Sequence, residues 1–108
     1  MEAWGLFLAF ITHKMEKYLV VIEKAKNNYS AFSPDVWGCV ATSATIEETL
    51  SQLKEALQMH LESMVNDGEE VPKGKGISQH IADGVFNPGE IADEYFITEV
   101  DIAVPQHA

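Results

Sequence analysis

Metal-dependent hydrolysis requires carboxylate side chains, and four in this sequence are candidates: Glu23, Asp35, Glu48 and Asp101. Such chemistry needs several carboxylates that converge on two divalent cations about 4 Å apart. Glu23 ends an apolar segment, Asp35 lies in a turn, and Glu48 belongs to a helix start, so each has a separate local role. We therefore expect no catalytic site, and a metal-dependent nuclease remains only as an alternative interpretation.

Histidine and cysteine do not form a recognisable metal or nucleophile motif. A zinc site on a helix places two histidines four residues apart with a further ligand elsewhere. The sequence contains no such spacing and predicts neither a metal nor a cofactor; its histidines are His13, His60, His80 and His107. The single cysteine, Cys39, cannot form a disulfide within the chain, and we expect a buried core residue in a reducing, cytoplasmic setting.

The charge balance points to the class of partner. Acidic residues number 17 and basic residues 7, which gives a net charge of -10, and every basic residue is a lysine. Nucleic acids and anionic membranes attract basic surfaces, so this composition disfavours both and favours a basic protein. Trp37 either closes one end of the core or contacts a partner. The predicted contact surface consists of acidic residues near the end of the chain together with this tryptophan: Glu90, Asp93, Glu94, Glu99, Asp101 and Trp37.

Four segments have the composition of β-strands. Tyr18–Glu23 is a continuous apolar run rich in β-branched residues, which predicts a central strand buried on both faces. Tyr29–Ser33 and Trp37–Ser43 follow after short links and complete an antiparallel meander. Tyr95–Val104 alternates between apolar and polar residues and predicts a final strand.

One long helix lies between the third and fourth predicted strands. Thr45 and Glu48 form a capping box, and apolar residues then recur at helical spacing as far as Met64. Gly68 suits the end of that helix, because glycine readily adopts the left-handed conformation of a C-terminal cap. The connector Lys73–Glu94 is irregular, and its apolar spacing allows one short helix.

The predicted order β-β-β-α-β indicates an α+β domain with two layers. We expect the sheet order 3-2-1-4, with the helix on one face and the last strand parallel to the first through a right-handed crossover. The second face of the sheet would then expose apolar surface. We expect the N-terminal run or a second chain to cover it, and hence a homodimer or higher oligomer.

The N-terminal segment is apolar over Trp4–Ile11. Eight residues are too few for a membrane span, which needs about 20, and the acidic Glu2 does not suit a signal peptide. We interpret residues 1–14 as an apolar extension and residues 15–108 as the domain. The extension either packs on the domain or a neighbouring chain, or it precedes a true start at Met15.

Beyond these patterns, the chain resembles the HicB-like antitoxins of type II toxin-antitoxin pairs. The resemblance rests on a combination of segments rather than on any one of them, and the closing Val100–Pro105 fits the family's final strand. The matching segments are Tyr18–Glu23, Tyr29–Cys39, Thr45–Leu50, His60–Glu62 and Asp67–Pro72.

The resemblance implies a fold like a truncated ribonuclease H domain and a function in binding and silencing a HicA-like toxin. Such toxins are small, basic, RNA-cleaving proteins. Many members add a C-terminal DNA-binding domain, whereas this sequence ends at Ala108 after the last predicted strand, so we expect no direct DNA binding. A stand-alone oligomeric module without a toxin partner is the alternative interpretation.

Overall fold

The computed structural model describes residues 12–106, so the predicted apolar run Trp4–Ile11 lies outside the described residues. The first strand begins at Thr12, so Thr12–Lys14, which we had assigned to the extension, are part of the sheet. The elements are β1 Thr12–Lys24, β2 Tyr29–Ser33, β3 Val36–Ser43, α1 Ile46–Asn66, α2 Ile77–Ala82 and β4 Tyr95–Gln106.

The four strands form one sheet in the order β3-β2-β1-β4, which confirms the predicted α+β fold class and strand order. The middle of β1, Tyr18–Ile22, is at most 2% exposed, so this strand is central and buried on both faces as its apolar run predicts. Alternation along the strand turns Tyr18, Val20 and Ile22 to one face and Leu19 and Val21 to the other.

The predicted parallel pairing of the last strand with the first is wrong. Strand β4 is antiparallel to β1, with a register that runs from Thr12↔Gln106 to Glu23↔Tyr95. The expectation of a parallel last strand assumes that the helix itself forms the connection that crosses back over the sheet. Here the connector, which in the structure begins directly after α1 and spans residues 67–94, separates the helix from β4. The backbone N–H of Lys24 at the C-terminal end of β1 donates to the carbonyl of Glu94 at 2.9 Å. The chain therefore enters β4 beside the end of β1 and runs back along it.

Helix α1 covers the first face of the sheet. At its start, one of the two hydrogen bonds of the predicted capping box is formed, because the Thr45 hydroxyl accepts from the backbone N–H of Glu48 at 3.1 Å. The Glu48 carboxylate instead accepts from the Ser43 hydroxyl at 2.7 Å. Gly68, with φ +73°, lies just past its C-terminal end, as predicted. The apolar helix residues that are completely buried against the sheet are Leu53, Leu57 and Leu61.

The second face is covered in part by the connector, a cover that the sequence analysis did not assign to it; the apolar run Trp4–Ile11 that was expected to add cover lies outside the described residues. Leu19 and Val21 are buried, and the connector lies on their side of the sheet, where the Glu23 carboxylate accepts from the backbone N–H of Ala92 at 2.8 Å. The connector contains the predicted short helix, α2. Cover does not extend to β3, where Trp37 is 80% and Val40 is 65% exposed.

Neither helix within residues 12–106 is long and apolar enough to cross a membrane.

Candidate interaction surface

A buried carboxylate attaches the connector to the sheet. Asp35, in the turn between β2 and β3, accepts from the backbone N–H of Leu19 at 2.9 Å and of Lys75 at 3.0 Å. Its Oδ1 lies 2.6 Å from Nε2 of His80 on α2, and both side chains are almost inaccessible to solvent. The Asp35–His80 pair therefore ties three segments together: the β2–β3 turn, the middle of β1 and the connector.

Sequence reasoning missed the Asp35–His80 pair, since the two residues lie 45 positions apart. It considered Asp35 as one of four scattered carboxylates and His80 as one of four scattered histidines. A signal was nevertheless present, because His80 lies at helical spacing from Ile77 and Ile81 in the predicted short helix, and the structure buries His80 while it leaves the two isoleucines exposed. A histidine on a buried face needs a polar partner, since an unpaired polar group loses its hydration on burial.

Close backbone packing beside the Asp35–His80 pair depends on Gly74. A Cβ atom added to Gly74 would lie 2.0 Å from the carbonyl oxygen of Lys17 on β1. The absence of a side chain lets the connector approach the strand closely enough for the next residue, Lys75, to donate to Asp35. The hydroxyl of Tyr18 supports the same approach by donating to the carbonyl of Pro72 at 2.7 Å.

Burial also changes the acidity of two core side chains. Burial, with smaller contributions from the carboxylates of Glu16 and Asp35, raises the pKa of Tyr18 to about 12. Burial likewise raises the pKa of the Cys39 thiol, whose Sγ lies 3.8 Å from the carbonyl oxygen of Ala56 on α1. Cys39 is a buried core residue, as predicted, and its thiol is held in the unreactive protonated form.

The connector and the sheet enclose an open groove of about 650 Å³, which we call the Trp37 groove. The side chains of one wall belong to the sheet and the turn after β2; those of the other wall belong to the connector. The Lys75 ammonium lies 3.6 Å from the Asp83 carboxylate, whereas Glu90 forms no ion pair with any residue between 12 and 106. The lining of the groove includes Phe32, Pro34 and Trp37 on the sheet side, and Lys75, Asp83 and Glu90 on the connector side.

The six residues of the predicted contact surface lie in three places rather than one. Trp37 and Glu90 line the Trp37 groove. Asp93 and Glu94 precede β4, and Glu94 lies 3.8 Å from Lys24. Two further acids, Glu99 and Asp101, lie exposed on β4, and Asp101 is 3.4 Å from Lys17. Because β2 and β1 separate β3 from β4, about 14 Å lies between the outer strands.

The four carboxylates considered for metal binding are dispersed as well. Glu23 accepts from the connector, Asp35 pairs with His80, Glu48 accepts from Ser43, and Asp101 faces Lys17. Over the described part of the chain, no group of three or more His, Cys, Asp or Glu side chains is arranged to hold a metal ion. These carboxylates therefore act in local hydrogen bonds and ion pairs.

Comparison with known proteins decides the family. A family model described as "HicB_like antitoxin of bacterial toxin-antitoxin system" matches residues 18–106, which include all of the buried sheet, both helices and the connector. The chain belongs to the HicB-like antitoxin family. The resemblance inferred from the sequence is confirmed, and the match extends through the connector that the sequence pattern left irregular.

Curated relatives of this HicB-like chain include a phage protein and a bacterial protein. An uncharacterized 14.9 kDa protein of Haemophilus phage HP1 is 38% identical over 85 residues, which are 79% of this chain and 59% of the phage protein. A UPF0150 protein of Helicobacter pylori is 43% identical over 47 residues, which are 44% of this chain and 65% of that protein. The matched part of the chain thus spans less than two thirds of the length of either relative.

Solved structures share the fold at low identity. A chain of the HicA3 and HicB3 toxin-antitoxin complex superposes with a TM-score of 0.60 at 24% identity, covering 80% of this chain and 96% of that chain. The N-terminal domain of the Burkholderia pseudomallei antitoxin HicB gives 0.60 at 21% identity, with 80% and 99% covered. These similarities establish the arrangement of sheet and helix as that of HicB antitoxin N-terminal domains.

Proposed function

We propose that this HicB-like protein binds a small basic HicA-like toxin and occludes its RNA-facing surface in the cytoplasm. The observation that carries the proposal is the family match over residues 18–106. A solved structure of the same fold is that of a HicA3 and HicB3 complex, which supports an antitoxin role for the fold. The proposal assigns the chain a binding role and no catalytic one.

Charge supports the proposed partner. The net charge of -10 and the absence of arginine favour association with a basic protein, because opposite charge speeds the encounter and disfavours wrong partners. We propose that the exposed acids before and along β4 steer this encounter, with Glu99 and Asp101 on the strand and Asp93 and Glu94 before it. An acidic surface placed over a toxin's RNA site would also repel the phosphate backbone of the substrate.

The test is co-expression of the chain with the product of an adjacent small basic gene, followed by binding and RNA-cleavage assays. We expect a complex at low ionic strength, loss of RNA cleavage in that complex, and weaker association as salt screens the charges. Replacing Glu99 and Asp101 by Gln and Asn should slow association several-fold. The matched control replaces Glu55 and Glu62 of α1 by Gln; no binding by the unaltered chain at low salt would refute the proposal.

A stand-alone oligomeric module is the second candidate, and the open outer edge of β3 favours it. No strand among residues 12–106 pairs with that edge, and Trp37 and Val40 expose apolar surface beside it. Unpaired strand edges readily pair with another chain. Light scattering over a wide concentration range tests this candidate: a monomer throughout would exclude it, and a dimer that does not bind the adjacent gene's basic product would support it.

A further inference from the structure

Trp37 is held outward by an irregularity in its strand. Along β3 the alternation of burial is broken, because Trp37 and Gly38 are both exposed between the buried Val36 and Cys39. The pairing register of β2 with β3 shifts beside Phe32, and Gly38 has φ +94°, a conformation that favours glycine. Bulges of this kind often turn a side chain towards a binding site. The core does not use Trp37, which is 80% exposed.

The opposite wall of the Trp37 groove is fixed before any partner arrives. Lys75 donates its backbone N–H to Asp35, and His80 is buried against the same carboxylate. Asp83, at the end of α2, pairs with Lys75 across the connector. A wall held by these contacts loses little conformational freedom on binding, which lowers the entropic cost of docking.

The charge of the groove selects a cation. Lys75 and Asp83 largely neutralise each other, which leaves the carboxylate of Glu90 as the unpaired charge of the lining. The face of an indole ring attracts cations through its quadrupole, and a nearby carboxylate adds to that attraction. Among protein cations, the planar guanidinium group both stacks on an aromatic face and forms a forked hydrogen bond to a carboxylate.

We propose that the Trp37 groove receives an arginine side chain from the basic protein partner, with the guanidinium stacked on Trp37 and paired with Glu90. This inference rests on the proposed function, since it names the anchor point for the same partner. A second copy of this chain does not fit, because the sequence contains no arginine and each copy carries a net charge of -10. An anionic nucleic acid is disfavoured by the same charge.

The test measures the affinity of the purified chain for the adjacent gene's basic product by calorimetry. We expect Trp37→Ala to weaken binding by about tenfold or more, as for an aromatic anchor at an interface. Trp37→Leu keeps an apolar side chain without the aromatic face and should lose nearly as much, whereas Glu90→Gln should lose several-fold. Two exposed positions on α1 provide matched controls, Met59→Ala and Glu55→Gln, which should change the affinity less than twofold.

The partner's arginines complete the test. Each arginine of the basic protein is replaced by alanine, and we expect one replacement to weaken binding to the unaltered chain but to add almost nothing when Trp37 is already alanine. Circular dichroism and thermal unfolding should be unchanged by Trp37→Ala, because the side chain is exposed.

The outcomes separate the inference from the proposed function. Binding that is unaffected by Trp37→Ala and Trp37→Leu overturns the anchor but leaves the antitoxin role standing. The anchor is also wrong if Trp37→Ala alters only the mass measured by light scattering, because the surface then serves self-association. Absence of binding by the unaltered chain overturns the proposed function together with the anchor.

Discussion

The two faces of the sheet are covered by different physical means. On the first face, the leucines of α1 form one apolar cluster with residues of all four strands, so cover depends on apolar burial along a regular helix. On the second face, the connector has little regular structure and is attached through polar contacts centred on Asp35. Apolar packing can tolerate changes of shape, whereas a buried polar group is stabilising only while its partners are present. The second face is therefore the one where a single polar substitution should detach a whole segment.

The largest expected effect on the second face comes from breaking the Asp35–His80 pair. Asp35→Ala removes the acceptor of two backbone N–H groups and leaves His80 buried without its partner. Each buried donor left without an acceptor costs about 1–3 kcal/mol, and Asp35→Ala leaves three, so we expect the free energy of unfolding measured in urea to fall by about 3 kcal/mol or more. Asp83→Ala, at an exposed pair with Lys75, should cost less than about 1 kcal/mol.

Hydrogen exchange distinguishes this loss from damage to the first face. In Asp35→Ala, amides of the connector should exchange faster while those of α1 stay protected, because the contacts removed belong to the second face. Leu57→Ala, which leaves a cavity under α1, should cost about 2–5 kcal/mol and speed exchange in α1 instead. Equal acceleration in both segments by both variants would show that the two faces do not differ in this way.

A smaller effect is expected at the backbone contact between the connector and β1. Gly74→Ala places a Cβ atom 2.0 Å from the carbonyl oxygen of Lys17, so the connector must move away from the strand. Forcing extra atoms into a packed contact costs about 1–3 kcal/mol. Thermal unfolding checks this prediction, with the exposed neighbour Lys73→Ala as control. Unaltered stability in Gly74→Ala would mean that the connector does not depend on this close approach.

The sequence predicts the regular elements and the packing of the first face better than it predicts the contacts of the second face. The burial of Tyr18–Ile22 and of Leu53, Leu57 and Leu61 was predictable, because strand and helix periodicity reports burial from neighbouring residues alone. The direction of β4 was not, since it depends on how far the connector carries the chain. The Asp35–His80 pair was missed because no local pattern links a turn carboxylate to a histidine 45 residues away.

The candidate site was predictable only as a list of residue types. The sequence predicts Trp37 and Glu90 as members of one contact surface together with acids near the last strand; the acids were grouped by their charge, and Trp37 was added as an aromatic side chain that could contact a partner. The structure brings Trp37 and Glu90 to one groove, while Glu99 and Asp101 lie on the opposite outer strand. Strand order and connector path set these separations, and neither is encoded at the residues themselves.

A modest effect on stability is expected at the hydrogen bond that joins the core beneath α1 to the connector. Tyr18 is buried on the α1 side of β1, yet its hydroxyl donates to the carbonyl of Pro72 in the connector. Tyr18→Phe removes this hydrogen bond while keeping the ring, and should lower the free energy of unfolding by about 1 kcal/mol. Denaturant unfolding near pH 7 checks the value. A loss no larger than that of the surface variant Lys73→Ala would contradict it.

The smallest effect is visible only at alkaline pH, and it comes from the same hydroxyl. The pKa of Tyr18 is about 12 in the folded chain, above the value near 10 of an unfolded tyrosine. Between these values the unfolded chain releases a proton that the folded chain retains, so the stability contributed by Tyr18 is complete below about pH 10 and is lost as the pH rises towards 12. The lysines titrate in the same range, and Tyr18→Phe separates their contribution. The stability advantage of the unaltered chain over Tyr18→Phe should shrink from pH 9 to pH 11.5, and an advantage that stays constant would mean that this hydroxyl titrates as a solvent-exposed tyrosine does.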